Sequence, residues 1–233
     1  MLLPFFCVCW PYHVAAHVGN GNDPPIISPP EGGTGSASVS FEAAGCVGHP
    51  IVDARGQGTG TTNSAELTSY GRFAFTPSTD GTYCIHPLVY MNGHVFAWTW
   101  GACGGTVEDM GTAVARVKLE VQIDQLSLSV KTIEHTIVDE AVSGGTDTEG
   151  GFAYDSAIDG GASTSVVLQG GHEVVVWVKC VCFVQVVNYG RAWVDMQTSP
   201  QFYFKVPVVR WGKVICWPWW TSLGRLTALQ SVP

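Results

Sequence analysis

Apolar residues recur at every second position in several stretches of the chain, the period of a strand rather than a helix. In TAVARVKLEVQI, residues 112–123, Ala113, Ala115, Val117, Leu119, Val121 and Ile123 fall on one side. Thr112, Arg116, Lys118, Glu120 and Gln122 fall mostly on the other, which predicts a strand with one wet face. LSLSV repeats the alternation through Leu126, Leu128 and Val130, and SASVSFEAAG sets Val39 and Phe41 against serines and Glu42. GRFAFTPSTDGTYCIHPLVYMNG, residues 71–93, reads as two strands on either side of a Pro-Ser-Thr-Asp-Gly turn. HEVVVWVKCVCFVQVVNYG is apolar on both faces over eighteen residues before its glycine. Fully extended it would run about 60 Å, so it is expected to bend, bulge or split, and to be covered on both sides. RAWVDMQ and QFYFKVPVV complete the strands.

Between these stretches the chain changes character. NGNDPPIISPPEGGTGSA, residues 20–37, carries four prolines and reads as a linker, and ARGQGTGTTNS reads as a flexible loop. Residues 143–163 are rich in Gly, Ser, Thr and Asp and predict a long loop. Helical spacing is confined to TSLGRLTALQ, where Thr221 is placed to cap and Leu223, Leu226 and Leu229 share a side. Many strands, Gly and Pro turns and almost no helix define an all-β chain, a β-sandwich or jelly roll. The expected organisation is an apolar N-terminal arm or leader at 1–19, a linker at 20–37, a sandwich at 38–211 and an irregular Trp-rich C-terminal tail at 212–233.

The segment MLLPFFCVCWPYHVAAHV resembles a secretory signal in its apolar run and its small residues Ala15 and Ala16. It lacks a positive start, and Pro4, Pro11 and His13 interrupt it. It is too short and broken to span a bilayer as a helix. If retained, Leu2, Leu3, Phe5, Phe6, Val8 and Trp10 must be buried, on the chain's own sheet or on a neighbouring subunit.

Composition narrows the function classes. Only 13% of the residues are charged, and the 11 Lys and Arg are scattered singly against a net charge of -8, so no basic stripe for nucleic acid exists. Eight cysteines stand at 7, 9, 46, 84, 103, 180, 182 and 216 without any C-x-x-C, which disfavours zinc. Each C-x-C pair, Cys7/Cys9 and Cys180/Cys182, places two sulfurs on one strand face, either to bond with cysteines on neighbouring strands or to stay buried as small apolar residues. An oxidising, extracellular setting is expected. No N-x-[ST] acceptor is present.

FAFTPSTDGTY, preceded by ASVSFEA and followed much later by STSVVLQGGHEVVVWV, resembles the strand signatures of C1q and tumour-necrosis-factor-like jelly rolls. In those, an F-x-x-P-x-x-G-x-Y turn enters one core strand and an apolar-L-x-x-G-[DH]-x-V segment enters another. The middle region, residues 94–163, is longer than that pattern, and His172 stands where it prefers Asp. The resemblance implies a jelly roll that assembles, often as trimers, and brings no catalytic residues.

No G-x-S-x-G, H-E-x-x-H or Walker loop is present, and no catalytic residue is assigned. His86 and His94 read as structural histidines. Asp147, Glu149, Asp155 and Asp159 gather in a Gly-rich stretch, the hard oxygen donors calcium takes, or else a solvated acidic loop. Trp98, Trp100, Trp193, Trp211, Trp217, Trp219 and Trp220 offer a sugar-stacking platform or, alternatively, core and interface packing. The leading expectation is a self-assembling structural subunit of an extracellular fibre, surface layer or virion shell, whose arm packs on another copy. A secreted module binding carbohydrate or another ligand is the alternative.

Overall fold

The computed structural model describes residues 5–28, 33–41, 47–100, 111–159 and 161–218. In chain order the strands are β1 (Phe5–Cys9), β2 (His13–Val14), β3 (Ala16–Asn22), β4 (Ile26–Ser28), β5 (Gly33–Phe41), β6 (Val47–Phe75), β7 (Gly81–Thr99), β8 (Thr112–Gln125), β9 (Leu128–Ser143) and β10 (Asp147–Asp155), followed after a one-turn helix α1 (Ser156–Asp159) by β11 (Thr164–Leu168), β12 (Val174–Asp195) and β13 (Tyr203–Pro218). The strands are antiparallel and run β10-β7-β13-β6-β12-β8-β9, with β7 also paired to β12. This is a β-sandwich of the jelly-roll type.

The two layers share their longest strands. Over Val174–Val187, β12 lies between β6 and β8; from Gly190 to Asp195 it lies between β6 and β7. The exchange of neighbours happens at Asn188, whose φ is 62° and where the register with β6 jumps from Val187↔Thr62 to Tyr189↔Gln57. The Asn188 side-chain carbonyl accepts the Gly60 N–H at 2.7 Å, and the Thr61 hydroxyl donates to the Asn188 carbonyl at 3.4 Å. A strand too long for one layer is thus turned into two by a bulge. The glycines of ARGQGTGTTNS, expected as a flexible loop, serve this corner within β6. Gly56 has no room for a side chain, since a Cβ there would lie 2.1 Å from the Asn188 carbonyl oxygen.

Between the layers the core is continuous. Ala113, Ala115, Val117, Leu119, Val121 and Ile123 of β8 are fully buried, as are Val174, Val176, Val178, Cys180, Cys182, Val184 and Val186 of β12. A fully buried Val, Leu or Ile contributes about 1.5–3 kcal/mol. The opposite face of β12 is half-exposed rather than covered. Val175, Val181, Phe183 and Val187 there are interspersed with polar side chains held by cross-strand pairs. Lys179 Nζ donates to Glu120 and Gln122, both at 2.7 Å, Trp177 Nε1–H donates to Asp124 at 2.8 Å, and Lys118 and Arg116 pair with Glu134 and Asp139.

Several segments depart from expectation. Residues 147–155, expected in a loop, form β10, an edge strand held by pairing along β7 although only Tyr154 is buried. Leu126, Leu128 and Val130 point outward, because Leu126 and Ser127 form a positive-φ turn between β8 and β9. The Pro- and Gly-rich segment contributes the end of β3, all of β4 and part of β5, which line one edge of β6. A sheet edge accepts such residues because its outer backbone groups need no ladder partner.

Within the single chain the described part of the N-terminal arm pairs with its own sheet, although Trp10, expected to be buried, stays 63% exposed. β1 and β2 pair with β13, and disulfides join Cys7 to Cys216 and Cys9 to Cys84. Residues 212–218, expected in the irregular tail, continue β13 because β1 supplies the strand they pair with. The helix anticipated at 221–230 lies outside the described residues, as do Cys46 and Cys103. Cys180 and Cys182 are free and buried; their sulfurs lie 3.8 Å apart, and the hydrogen bond between them together with burial holds the Cys180 thiol well above its ordinary range. They behave as core residues.

Candidate binding face

The outer surface at the β10-β7-β12-β6 end collects the residues the sequence singled out. Facing positions across antiparallel strands share a side, so the register sets the layout. One row runs Asp147, Trp98, Arg191, Arg55; the next runs Glu149, Phe96, Trp193, Asp53. Beyond them, the Trp100 N–H donates to the Tyr189 carbonyl, bringing those two residues together at the corner. Two adjacent strands therefore present an aromatic strip: Phe96, Trp98 and Trp100 on β7 and just past its end, and Trp193 and Tyr189 on β12 with Arg191 between them. Its length is about 13 Å, four residues of strand.

The rings are not equivalent. Trp193 carries Phe96 stacked on it at 4.0 Å and the Arg191 guanidinium over it at 4.3 Å, so neighbours occupy its surface. Trp98 and Trp100 lie 5.0 Å apart with planes tilted by 57°, and Trp100 is 56% exposed. These two offer the free aromatic surface, with Tyr189 beside them. Around the strip stand planar polar groups. Asp53 accepts both Arg191 Nε–H at 3.0 Å and Nη2–H at 2.9 Å, and also takes a hydrogen bond from Arg55. Glu149, largely exposed, pairs with His94 at 3.5 Å.

The four carboxylates proposed for calcium do not converge. Asp147 and Glu149 flank the aromatic strip on β10, whereas Asp155 is roughly 26 Å further along the strand. There Asp155 Oδ1 accepts the Ala157 N–H and Asp159 Oδ2 accepts the Asp155 N–H, closing the short α1 turn. Burial, then Asp159 and Asp155, push the neighbouring Tyr154 phenol up to about 12.

The remaining tryptophans go elsewhere. Trp211 stacks on Phe75 at 4.3 Å at the far end of the molecule, Trp217 is placed in β13 by its backbone alone, and Trp219 and Trp220 lie outside the described residues. Trp177, which sequence reasoning passed over within an apolar run, lines a cleft of about 340 Å³ on the other layer with Arg72, Asp124, His172 and Glu173. Its position two residues before Lys179 on an alternating strand was the available signal. Tyr189 and Arg191 were missed because the corner that turns them toward Trp100 and Trp98 is a tertiary feature.

At the other end of β7, His86 is half-buried on the outer face. It lies between Tyr12, whose hydroxyl is 3.2 Å from Nε2, and Ser163, whose hydroxyl is 2.8 Å from Nδ1. Burial, with a smaller push from Arg210, holds its pKa below the ordinary histidine value. Among the described residues no helix is long and apolar enough to cross a membrane.

No family model and no curated protein matches the chain. Among solved structures it is similar to the enzymatically active domain of tailspike protein 4 of bacteriophage CBA120, at 12% identity and a TM-score of 0.21, over 78% of this chain and 19% of that one. TmCBM61, solved with β-1,4-galactotriose, matches at 10% identity and a TM-score of 0.21, over 74% of this chain and 88% of that one. The family 11 carbohydrate-binding module from Clostridium thermocellum, solved with a mixed-linked tetrasaccharide, matches at 6% identity and a TM-score of 0.19, over 76% of this chain and 96% of that one. Likeness at this level transfers no ligand to this chain.

Proposed function

We propose that the chain is a carbohydrate-binding β-sandwich module working outside the cell, and that its role is binding without catalysis. One observation carries the reading: the outward strip of Phe96, Trp98 and Trp100 beside Tyr189 and Arg191, edged by Glu149 and Asp53. Flat rings match the apolar faces of pyranoses, and fixed planar carboxylate and guanidinium groups suit their hydroxyls. A strip this long favours an oligosaccharide over a single sugar. The two disulfides support an oxidising compartment. On the opposite layer Arg116, Lys118 and Lys179 are already paired with Asp139, Glu134 and Glu120, which suits a solvated face.

A self-assembling structural subunit is the second reading. It is favoured by the arm, where Trp10 is 63% and Val14 67% exposed, with Tyr12 between them. Glycan-array screening followed by calorimetry separates the two. Trp98→Ala and Trp100→Ala are each expected to weaken the best glycan by tenfold or more, about 1.4 kcal/mol, while Trp177→Phe leaves it unchanged. A folded chain that binds no glycan, or whose binding ignores both substitutions, overturns the carbohydrate reading. Polymers in negative stain that are dispersed by Trp10→Ser would then establish the second.

A further inference from the structure

The strongest unassigned chemistry lies far from the aromatic strip, where the N-terminal arm is tied down. Cys9, Cys84 and His86 bring one ligand atom each to within 4.8 Å of one another, and all three residues are half-buried. Among the described residues no other group of three His, Cys, Asp or Glu side chains is gathered in this way. Cys84 and His86, two apart on β7, share its outer face. Cys9 reaches them from β1, whose path is set by pairing with β13.

We infer that, when Cys9 and Cys84 are thiols, these three side chains bind a soft divalent cation of the zinc type. Two thiolates and an imidazole are a donor set zinc favours, and three protein ligands leave a fourth position for water. The two thiolates cancel the ion's charge. Either imidazole nitrogen can ligate while the other keeps a hydroxyl partner, Ser163 or Tyr12, which is how ligand histidines are held in orientation. The absence of C-x-x-C hid the site, because Cys9 and Cys84 are separated by 75 residues and only the sheet brings them together.

In the structure Cys9 and Cys84 are joined as a disulfide, so the site is gated by reduction. A dithiol reductant supplies two electrons and two protons; the S–S bond breaks, two thiols form, and the reductant closes into its own disulfide. Zinc then displaces both thiol protons into solvent. In either state the arm stays fastened to β7, by a covalent bond or by the ion.

The test takes the full chain, reduced with a dithiol and desalted under argon, and titrates it with Co²⁺ as an optical stand-in for Zn²⁺. The expected result is a stoichiometric thiolate-to-cobalt charge-transfer band that Zn²⁺ abolishes, together with a rise in the melting temperature of the reduced protein on adding Zn²⁺. The band should persist in a Cys7→Ser, Cys216→Ser double variant and vanish in Cys84→Ser. In His86→Gln the affinity should fall at least about tenfold. Circular dichroism confirms that each variant is folded; should Cys84→Ser unfold, His86→Gln and the melting shift decide. A folded, reduced wild type with no band, a band that survives Cys84→Ser, or equal affinity in His86→Gln would sink the proposal.

Discussion

At the scale of single residues, Tyr154 gives a direct pH dependence. It is buried at the end of β10 beside Asp155 and Asp159, and its phenol is pushed up to about 12 from the ordinary 10.0. The folded chain therefore keeps this proton where the unfolded chain has lost it. Stability from this source is complete below pH 10 and is lost as pH rises from 10 towards 12. Denaturant midpoints at pH 9, 10.5 and 11.5 should show a steeper alkaline decline for wild type than for Tyr154→Phe, and parallel declines would refute the assignment. The sequence showed which residue types were present here but not their grouping. The Asp and Glu cluster looked like one site because four carboxylates fall within thirteen residues, yet an extended strand carries Asp147 away from Asp155. Trp98, Trp100 and Trp193 were legible as candidates, whereas the occupation of Trp193 by Phe96 and Arg191 depends on facing strands.

At the scale of elements, periodicity was the reliable guide wherever one face met the core. The inner face of β8 agrees with its alternation residue for residue, and the turn between β6 and β7 falls on the Pro-Ser-Thr-Asp-Gly stretch. Edge strands such as β3, β4 and β10 were illegible because backbone pairing rather than apolar burial holds them. The length of β12 demands a bend, and the bend lies at Asn188, two residues before Gly190. A Cβ on Gly190 would sit 2.4 Å from the Trp98 carbonyl oxygen, so Gly190→Ala must push β12 away from β7. We expect a loss of roughly 2–3 kcal/mol in chemical denaturation, with displacement of the Trp98 ring visible in near-ultraviolet circular dichroism. Gly150→Ala, where a Cβ meets nothing within 4 Å, is the control and should stay within about 0.5 kcal/mol of wild type. Equal effects at the two positions would contradict the corner geometry.

At the scale of the molecule, β6 and β12 each belong to both layers, so neither layer can separate without tearing strands of the other. Unfolding should accordingly be a single transition by tryptophan fluorescence and by far-ultraviolet circular dichroism, and two resolved midpoints would count against shared strands. The bond between Cys7 and Cys216 spans 209 residues, and closing so long a loop in the unfolded chain corresponds to roughly 5 kcal/mol of entropy in the simplest model. In covalent terms residues 7–216 close into a ring. One protease cut inside it, for example at the exposed Gly144–Gly145 turn, opens the ring without dividing the molecule. Nicked protein should run as one species on a denaturing gel without reductant and as two fragments with it, so a chain already cleaved within the ring can pass for whole until its disulfides are reduced.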